Sequence, residues 1–232
     1  MRGKLHGVMP PSLAHIDTWI FDLDNTLYPA SCDLFALIDV RMGAYIQDLL
    51  DVDAAEARRI QKGYFIEHGT TLSGLMANHA TDPHHFLDYV HDIDMGRLTA
   101  DPALKSALER LPGRRLIFTN GDVHYAARVL DALGLSGVFA AVHDIHAMAY
   151  RPKPEPESYA AMCAAQQVEP ARAIFFEDMA RNLKPAKDLG MTTVWINNGS
   201  EHGDAGACAS FIDYESDCAS GWLNRILGDK TP

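Results

Sequence analysis

No segment of the 232-residue chain approaches the roughly 20 consecutive apolar residues that a membrane-spanning helix requires, so no membrane partner is expected. Positive charge is also in deficit. Twenty Lys and Arg stand against 31 Asp and Glu, and a formal net charge of -11 leaves no broad basic face for a nucleic-acid polymer. An anionic substrate would have to be attracted by something local. The four cysteines, Cys32, Cys163, Cys208 and Cys218, are scattered without metal-ligand spacing. Met1 to Ser12 carries Arg2 and Lys4 but no apolar run behind them, so it lacks the layout of an export signal and reads as a frayed end. A cytoplasmic setting with reduced thiols is expected, Cys208 and Cys218 lying in a polar region where they can react. A Gly-rich dinucleotide loop and a Gly-x-x-x-x-Gly-Lys-Ser/Thr element are both missing, which removes support for nicotinamide or nucleoside-triphosphate sites of those types. The eleven histidines, among them His79, His84, His85, His143 and His146, assemble no recognised zinc spacing, and His84-His85 reads as a solvated helix start. Internal repeats and low-complexity tracts are absent as well.

What the chain does contain is alternation. Short apolar, β-branched segments recur between helical patterns, the signature of βαβ construction. Strands are expected at about 18–22, 115–119, 138–142, 173–176 and 192–196, with a further candidate at 210–212. Helices are expected at 122–133, stopped by Gly134, at 155–166, and from an Asn182 cap to Gly190 with Pro185 in the first turn. Glu201–Ala209 reads as a surface loop. Between about Ser31 and Gly96 the alternation breaks. Leu34, Leu37, Ile38, Met42, Tyr45, Ile46 and Leu49 follow a 3.6-residue period, as do Ile60, Tyr64 and Phe65, and shorter helical pieces cover 72–80 and 84–91. The fold class is therefore α/β, a doubly wound, mostly parallel sheet with an inserted all-helical module. The expected division is a core of 13–29 and 97–232 and a cap of 30–96, with a cleft above the strand ends and Met42 and Met95 in core or interdomain packing.

Four segments end or follow strands with groups suited to one phosphate and one divalent ion. After the first strand, Asp22 and Asp24 lie two residues apart and can flank one reacting atom at the carboxyl edge of the sheet. In Ile117-Phe118-Thr119-Asn120-Gly121-Asp122, the Thr119 hydroxyl can donate to a phosphate oxygen while the Asn120 backbone N–H points into the same site, and Asp122 reads as a helix cap. Lys153, held between prolines in Arg151-Pro152-Lys153-Pro154, supplies a restrained ammonium. Glu177 and Asp178 end an apolar strand, where a Mg²⁺ ion would offset the cost of burying a carboxylate. The expected metal set is Asp22, Asp178 and the Asp24 main-chain carbonyl, completed by Glu177 or waters. Asp22 would attack phosphorus to give an aspartyl-phosphate, Asp24 would serve as acid and then base, and Thr119 and Lys153 would hold the equatorial oxygens.

Phe21-Asp22-Leu23-Asp24-Asn25-Thr26-Leu27, Thr119-Asn120-Gly121, Lys153 and Glu177-Asp178 with Asn182, in that order and at these separations, resemble the haloacid-dehalogenase-like hydrolase superfamily. The insertion after the first motif is similar to that superfamily's helical cap of the first type. Leu27-Tyr28-Pro29 and Glu67-His68-Gly69-Thr70-Thr71-Leu72-Ser73-Gly74-Leu75 resemble its pyrimidine 5'-nucleotidase-like branch. The resemblance implies Mg²⁺-dependent hydrolysis of nucleoside monophosphates such as UMP or CMP. Substrate contacts are then expected from Asn120, Gly121, His68, Thr70 and Thr71. A broad small-metabolite or sugar-phosphate phosphatase is the alternative reading, followed by a phosphomutase and by a non-catalytic phosphate-binding protein. Monomer and homodimer both remain open. A halide-removing relative is disfavoured, because a halide leaves without the proton that Asp24 could supply.

Overall fold

Thr18–Phe21 (β1) is buried at every residue, and Ala173–Glu177 (β4) is equally dry, so both must lie inside a sheet covered on its two faces. The computed structural model, which describes residues 10–228, places them side by side. Arg114–Phe118 (β2) pairs with the other edge of β1, and Ala141–His143 (β3) follows it. Thr192–Ile196 (β5) and Tyr214–Ser216 (β6) extend the far side. The order β3-β2-β1-β4-β5-β6 is parallel throughout. Phe21 and Phe176 stack at 4.4 Å between neighbouring strands, and Trp222 meets Phe176 edge-on at 5.1 Å. These rings fill the core directly beneath the strand ends.

Four helices lie between β1 and the next helix of the sheet layers: Leu34–Leu50 (α1), Ala54–His68 (α2), Thr71–His79 (α3) and Pro83–His91 (α4). Their boundaries are chemically marked. The side chains of Asp53, Thr70 and Asp82 accept from backbone N–H groups in the first turns of α2, α3 and α4. α2 and α3 pack tightly enough to need Gly74, where a Cβ would sit 2.2 Å from the Tyr64 ring. Tyr45 of α1 packs edge-on against Phe86 and Tyr89 of α4. These helices form the inserted cap region. Pro102–Arg110 (α5), Val123–Ala132 (α6), Pro156–Gln166 (α7), Ala180–Asp188 (α8) and Ala219–Ile226 (α9) flank the sheet.

Several expected boundaries shift. β3 begins at Ala141, because Gly134 and Gly137 adopt positive φ and the intervening turn buries Leu135 and Val138 as packing residues before pairing starts. β6 begins at Tyr214, well past the candidate at 210–212. Phe211 is tied back to Cys208, and the Asp213 side chain accepts from the Thr193 N–H and the Lys187 ammonium ahead of the strand. α8 starts at Ala180 after Met179, which puts Asn182 inside the first turn with its N–H on the Met179 carbonyl. Asn182 is therefore no cap, and Pro185 falls one turn deeper than expected. The expected frayed end lies outside the described residues over 1–9, while the short turn Pro11–Leu13 seats Leu13 in the core. Among the described residues no helix is long and apolar enough to cross a membrane.

The cap meets the core at polar contacts as well as apolar ones. Lys62 of α2 bridges Asp39 of α1 at 3.2 Å and Glu201 of the core loop at 3.3 Å. Phe65 of α2 carries the Arg181 guanidinium over its ring at 4.6 Å and stacks with His202 at 6.1 Å. His84, although exposed at the start of α4, stacks on His146 of the core at 4.6 Å, and Tyr150 links the two.

Candidate active site

The chain leaves β1 at Asp22, whose N–H still bonds the Phe176 carbonyl in the manner of the sheet. It then turns sharply, with Asn25 at φ 57°, and both Thr26 and Leu27 donate back to the Leu23 carbonyl. The turn brings the Thr26 hydroxyl to Asp22 Oδ2 at 3.0 Å. The other carboxylate oxygen, Oδ1, accepts from Lys153 Nζ at 2.7 Å. The Lys153 ammonium is 2 % exposed and uses all three of its protons, on Asp22, on Glu177 Oε2 at 2.7 Å and on the Phe118 carbonyl at 2.8 Å. Burial alone would lower its pKa; the Asp22 and Glu177 carboxylates outweigh that and raise it.

Asn120 fixes the lysine from behind. Its side-chain oxygen accepts from the Lys153 N–H at 2.8 Å, and its amide donates to the Lys153 carbonyl at 3.2 Å. The Asn120 side chain thus joins the end of β2 to the proline-rich loop, while Asn120, whose backbone N–H is the group expected to face substrate, lines the cavity. Thr119 is buried, its hydroxyl oxygen accepts from the Gly121 N–H at 3.0 Å, and its own proton is left for an acceptor in the cavity it lines. Asp122 caps α6, accepting from the N–H groups of His124 and Tyr125, and takes a further 2.5 Å contact from His91 Nδ1. Burial alone would raise the Asp122 carboxyl, but these donors hold it down to about 2.

At the end of β4, Glu177 and Asp178 complete a cluster with Asp22 in which one carboxylate oxygen from each residue lies within 4.8 Å of the others. All three are buried, and the one ammonium that reaches the cluster bonds Asp22 and Glu177. Burial first and the Glu177 charge second push Asp22 up to about 7, against the opposing pull of Lys153. Asp178 is raised by the same two causes, joined by the Asp22 charge. Three hard oxygen donors with an excess of negative charge fit a divalent cation, which would relieve the repulsion that raises them. Asp24 is not among the clustered carboxylates. Its side chain turns instead toward two tyrosine hydroxyls, and the expected role of its main-chain carbonyl is independent of that direction.

A cavity of about 210 Å³ opens above these groups. Its floor is Asp22, Asp24, Thr119, Asn120, Gly121, Lys153, Glu177 and Asp178; its roof is largely apolar, with Phe35, Ile38, Met42, Phe65, Leu72 and Val90 from the cap. Thr70 and Thr71 line it too, but both serve local structure, Thr70 capping α3 and Thr71 donating to the Gln61 carbonyl at 3.4 Å. His68 is not part of the lining and lies toward Glu67 and Asn78. Tyr28, Tyr125, His91 and Arg181 were not singled out as site residues by the sequence reading. Only Tyr28 had a local signal, its place directly after the acidic motif.

The chain is similar to phosphate metabolism protein 8 of Saccharomyces cerevisiae, 28% identical over 79% of this chain and 64% of that protein. It is also similar to the N-acetylmuramic acid 6-phosphate phosphatase of Pseudomonas aeruginosa, 26% identical over 79% of this chain and 82% of that one. Validoxylamine A 7'-phosphate phosphatase of Streptomyces hygroscopicus subsp. limoneus is 35% identical over 43% of this chain and 47% of its own length. The chain thus spans less than two thirds of the yeast and Streptomyces proteins. Among solved structures, a HAD phosphatase from Thermococcus onnurineus superposes with a TM-score of 0.62 at 21% identity, covering 93% of this chain and 99% of that one. The L-2-haloacid dehalogenase of Xanthobacter autotrophicus, at a TM-score of 0.58 and 18% identity over 93% and 100%, shares the fold. The family pattern itself runs over residues 16–190, from just ahead of β1 to the end of α8, and takes in every charged group on the cavity floor: this chain belongs to the haloacid dehalogenase-like hydrolases.

Proposed function

We propose that the protein is a Mg²⁺-dependent phosphomonoesterase that works through an aspartyl-phosphate, with pyrimidine nucleoside monophosphates such as UMP and CMP as its substrates. The observation that carries the reaction is the buried cluster in which Lys153 joins Asp22 to Glu177 while Asp178 closes around the same point. Asp22, Glu177 and Asp178 would hold the ion, which when bound neutralises phosphoryl charge and the carboxylate excess. Asp22 attacks phosphorus in line, and Lys153 and Thr119 bind the oxygens on which charge redistributes. Asp24 gives its proton to the departing alcohol and then takes one from the water that hydrolyses the aspartyl-phosphate. The cap excludes bulk water from the first step.

Two observations support the substrate class. The apolar roof of the cavity suits the face of a base. Arg181, held flat on Phe65 beside the metal-ligand loop, offers a donor to a polar substituent. A sugar-phosphate or small-metabolite phosphatase is the second reading, favoured by the names of the Pseudomonas and Streptomyces relatives. The division at 30–96, a cytoplasmic location and a monomer or homodimer belong to the same proposal. Phosphate release from nucleoside monophosphates, sugar phosphates and an aryl phosphate, each with Mg²⁺ and with EDTA, tests it. Preference for UMP and CMP is the expected result; a sugar-biased profile selects the second reading, and release that EDTA does not diminish overturns the metal assignment.

A further inference from the structure

Asp24 is gripped by two phenols. Tyr28 Oη and Tyr125 Oη each donate to Asp24 Oδ1 at 2.6 Å, and among the described residues no hydrogen bond reaches Oδ2. The tyrosines come from different places, the loop behind β1 and the first turn of α6, yet they converge on one oxygen. Both are buried, at 3 % and 1 % exposure. Burial, followed by the Asp24 charge, raises both hydroxyls above the ordinary tyrosine range, so each keeps the proton that it donates to Oδ1.

Tyr125 has no freedom to swing away. The His91 ring from the end of α4 lies flat on it, with centroids 4.3 Å apart and planes 12° from parallel. Asp122 holds both partners, accepting from the Tyr125 N–H at 2.9 Å and from His91 Nδ1. Arg128, one turn along α6, donates to the carbonyls of His91 and Ile93 and fixes the chain as it returns from the cap.

A carboxyl group that must give up a proton and later take one needs a single oxygen aimed at the substrate. Free rotation about its Cβ–Cγ bond would present either oxygen at varying angles. We propose that Tyr28 and Tyr125 are positioning residues that commit Asp24 Oδ1 to the protein and present Oδ2 to the leaving-group oxygen. In the step they assist, an Asp22 oxygen forms a bond to phosphorus and the phosphorus–oxygen bond of the ester breaks. The proton on Oδ2 passes to the departing oxygen, leaving a free alcohol and an Asp24 carboxylate. The inference rests on the phosphatase reading and on Asp24 as the acid.

Tyr28→Phe, Tyr125→Phe and the double variant keep the rings and remove only the donors. Their effect is read on kcat/KM, which stops at phosphoryl transfer, for an alkyl phosphate and for 2,4-dinitrophenyl phosphate, whose leaving group departs without a proton. The expected loss on the alkyl ester is about 10-fold in each single variant and about 10²-fold in the double, part of the 10²–10⁴-fold range of general acid catalysis. The dinitrophenyl ester should stay within about twofold, because acid catalysis contributes little to such a departure. Asp24→Asn on the same pair calibrates the assay. Equal losses on both esters, or no loss on either, while Asp24→Asn remains selective for the alkyl ester would overturn the positioning role. Absence of phosphate release by the wild-type protein from both esters, or an Asp24→Asn variant without that selectivity, would overturn the phosphatase reading beneath it.

Discussion

The two walls of the cavity are built on opposite terms. On the core side the central ion-paired groups are tied down: Lys153 has three acceptors, Asp22 has two donors, and the Asn120 amide braces the lysine backbone. On the cap side the lining is mostly aliphatic and aromatic, and its threonines and Gln61 are turned to bonds within the helices. Directional bonds fix atoms to fractions of an ångström, which reaction at phosphorus demands; apolar contact selects by shape and tolerates exchange. On the proposed reading, the comparison teaches that the groups that do the chemistry and most of the surface that would meet the leaving group belong to separable parts of this molecule.

Four experiments would break or sharpen that separation. The largest effect should come from Asp22→Asn, which keeps the side-chain shape while removing the nucleophile; turnover of every substrate should fall by about 10⁴-fold or more, with circular dichroism unchanged. A variant that still turns over would relocate the reacting group. Next is Lys153→Met, which strands Asp22 and Glu177 as buried, unpaired carboxylates. Chemical denaturation should show a loss of about 3–5 kcal/mol, the usual result of deleting one member of a buried ion pair, and Mg²⁺ should recover part of it. Stability equal to wild type would mean that the carboxylates are already neutral in the folded protein.

Phe65→Ala probes the other wall. It should raise KM for the preferred nucleotide by about 10-fold, within the range expected from lost pocket contacts, while kcat for a small aryl phosphate holds. A fall in kcat for both would show that the cap wall also shapes the chemistry. The smallest effect concerns pH. Asp22 is raised from 3.8 to about 7 by burial and by Glu177, so between those values the folded protein binds more protons than the unfolded chain. Its contribution to stability therefore declines as pH rises through that window and levels off above it. Mg²⁺ should raise the melting temperature more at pH 8 than at pH 5 in a thermal scan; an equal increment at both would disconnect the ion from Asp22.

Most of the core wall was legible in the sequence, because its groups sit where apolar strands stop. Thr18–Phe21, Arg114–Phe118 and Ala173–Glu177 are short buried runs, and parallel pairing brings their ends to one edge whatever lies between them. Asp22, Thr119, Lys153, Glu177 and Asp178 meet there as anticipated from their order. The tyrosine grip on Asp24 was not legible. Tyr125 is 101 residues away in the chain and occupies a position on α6 that any buried aromatic could fill. His91 and Arg181 were hidden for the same reason, their partners Asp122 and Phe65 being distant in sequence. Asn120 shows a different limit: its place beside Thr119 suggested a backbone contact, and nothing local announced that its side chain would brace the next loop. On the cap, periodicity located the helices but not which turn faces the cleft, and His68 turns elsewhere.

The ammonium of Lys62 touches one carboxylate on its own side of the cleft and one across it. If the two halves part, Asp39 keeps the lysine and only the contact with Glu201, which is 63 % exposed, is surrendered. An ion pair so open to water contributes about 0–1 kcal/mol, so on the proposed reading this latch by itself would add less than about a tenfold delay to product escape. Resistance to opening is then left to the ring contacts, Phe65 with Arg181 and His202 and His84 with His146.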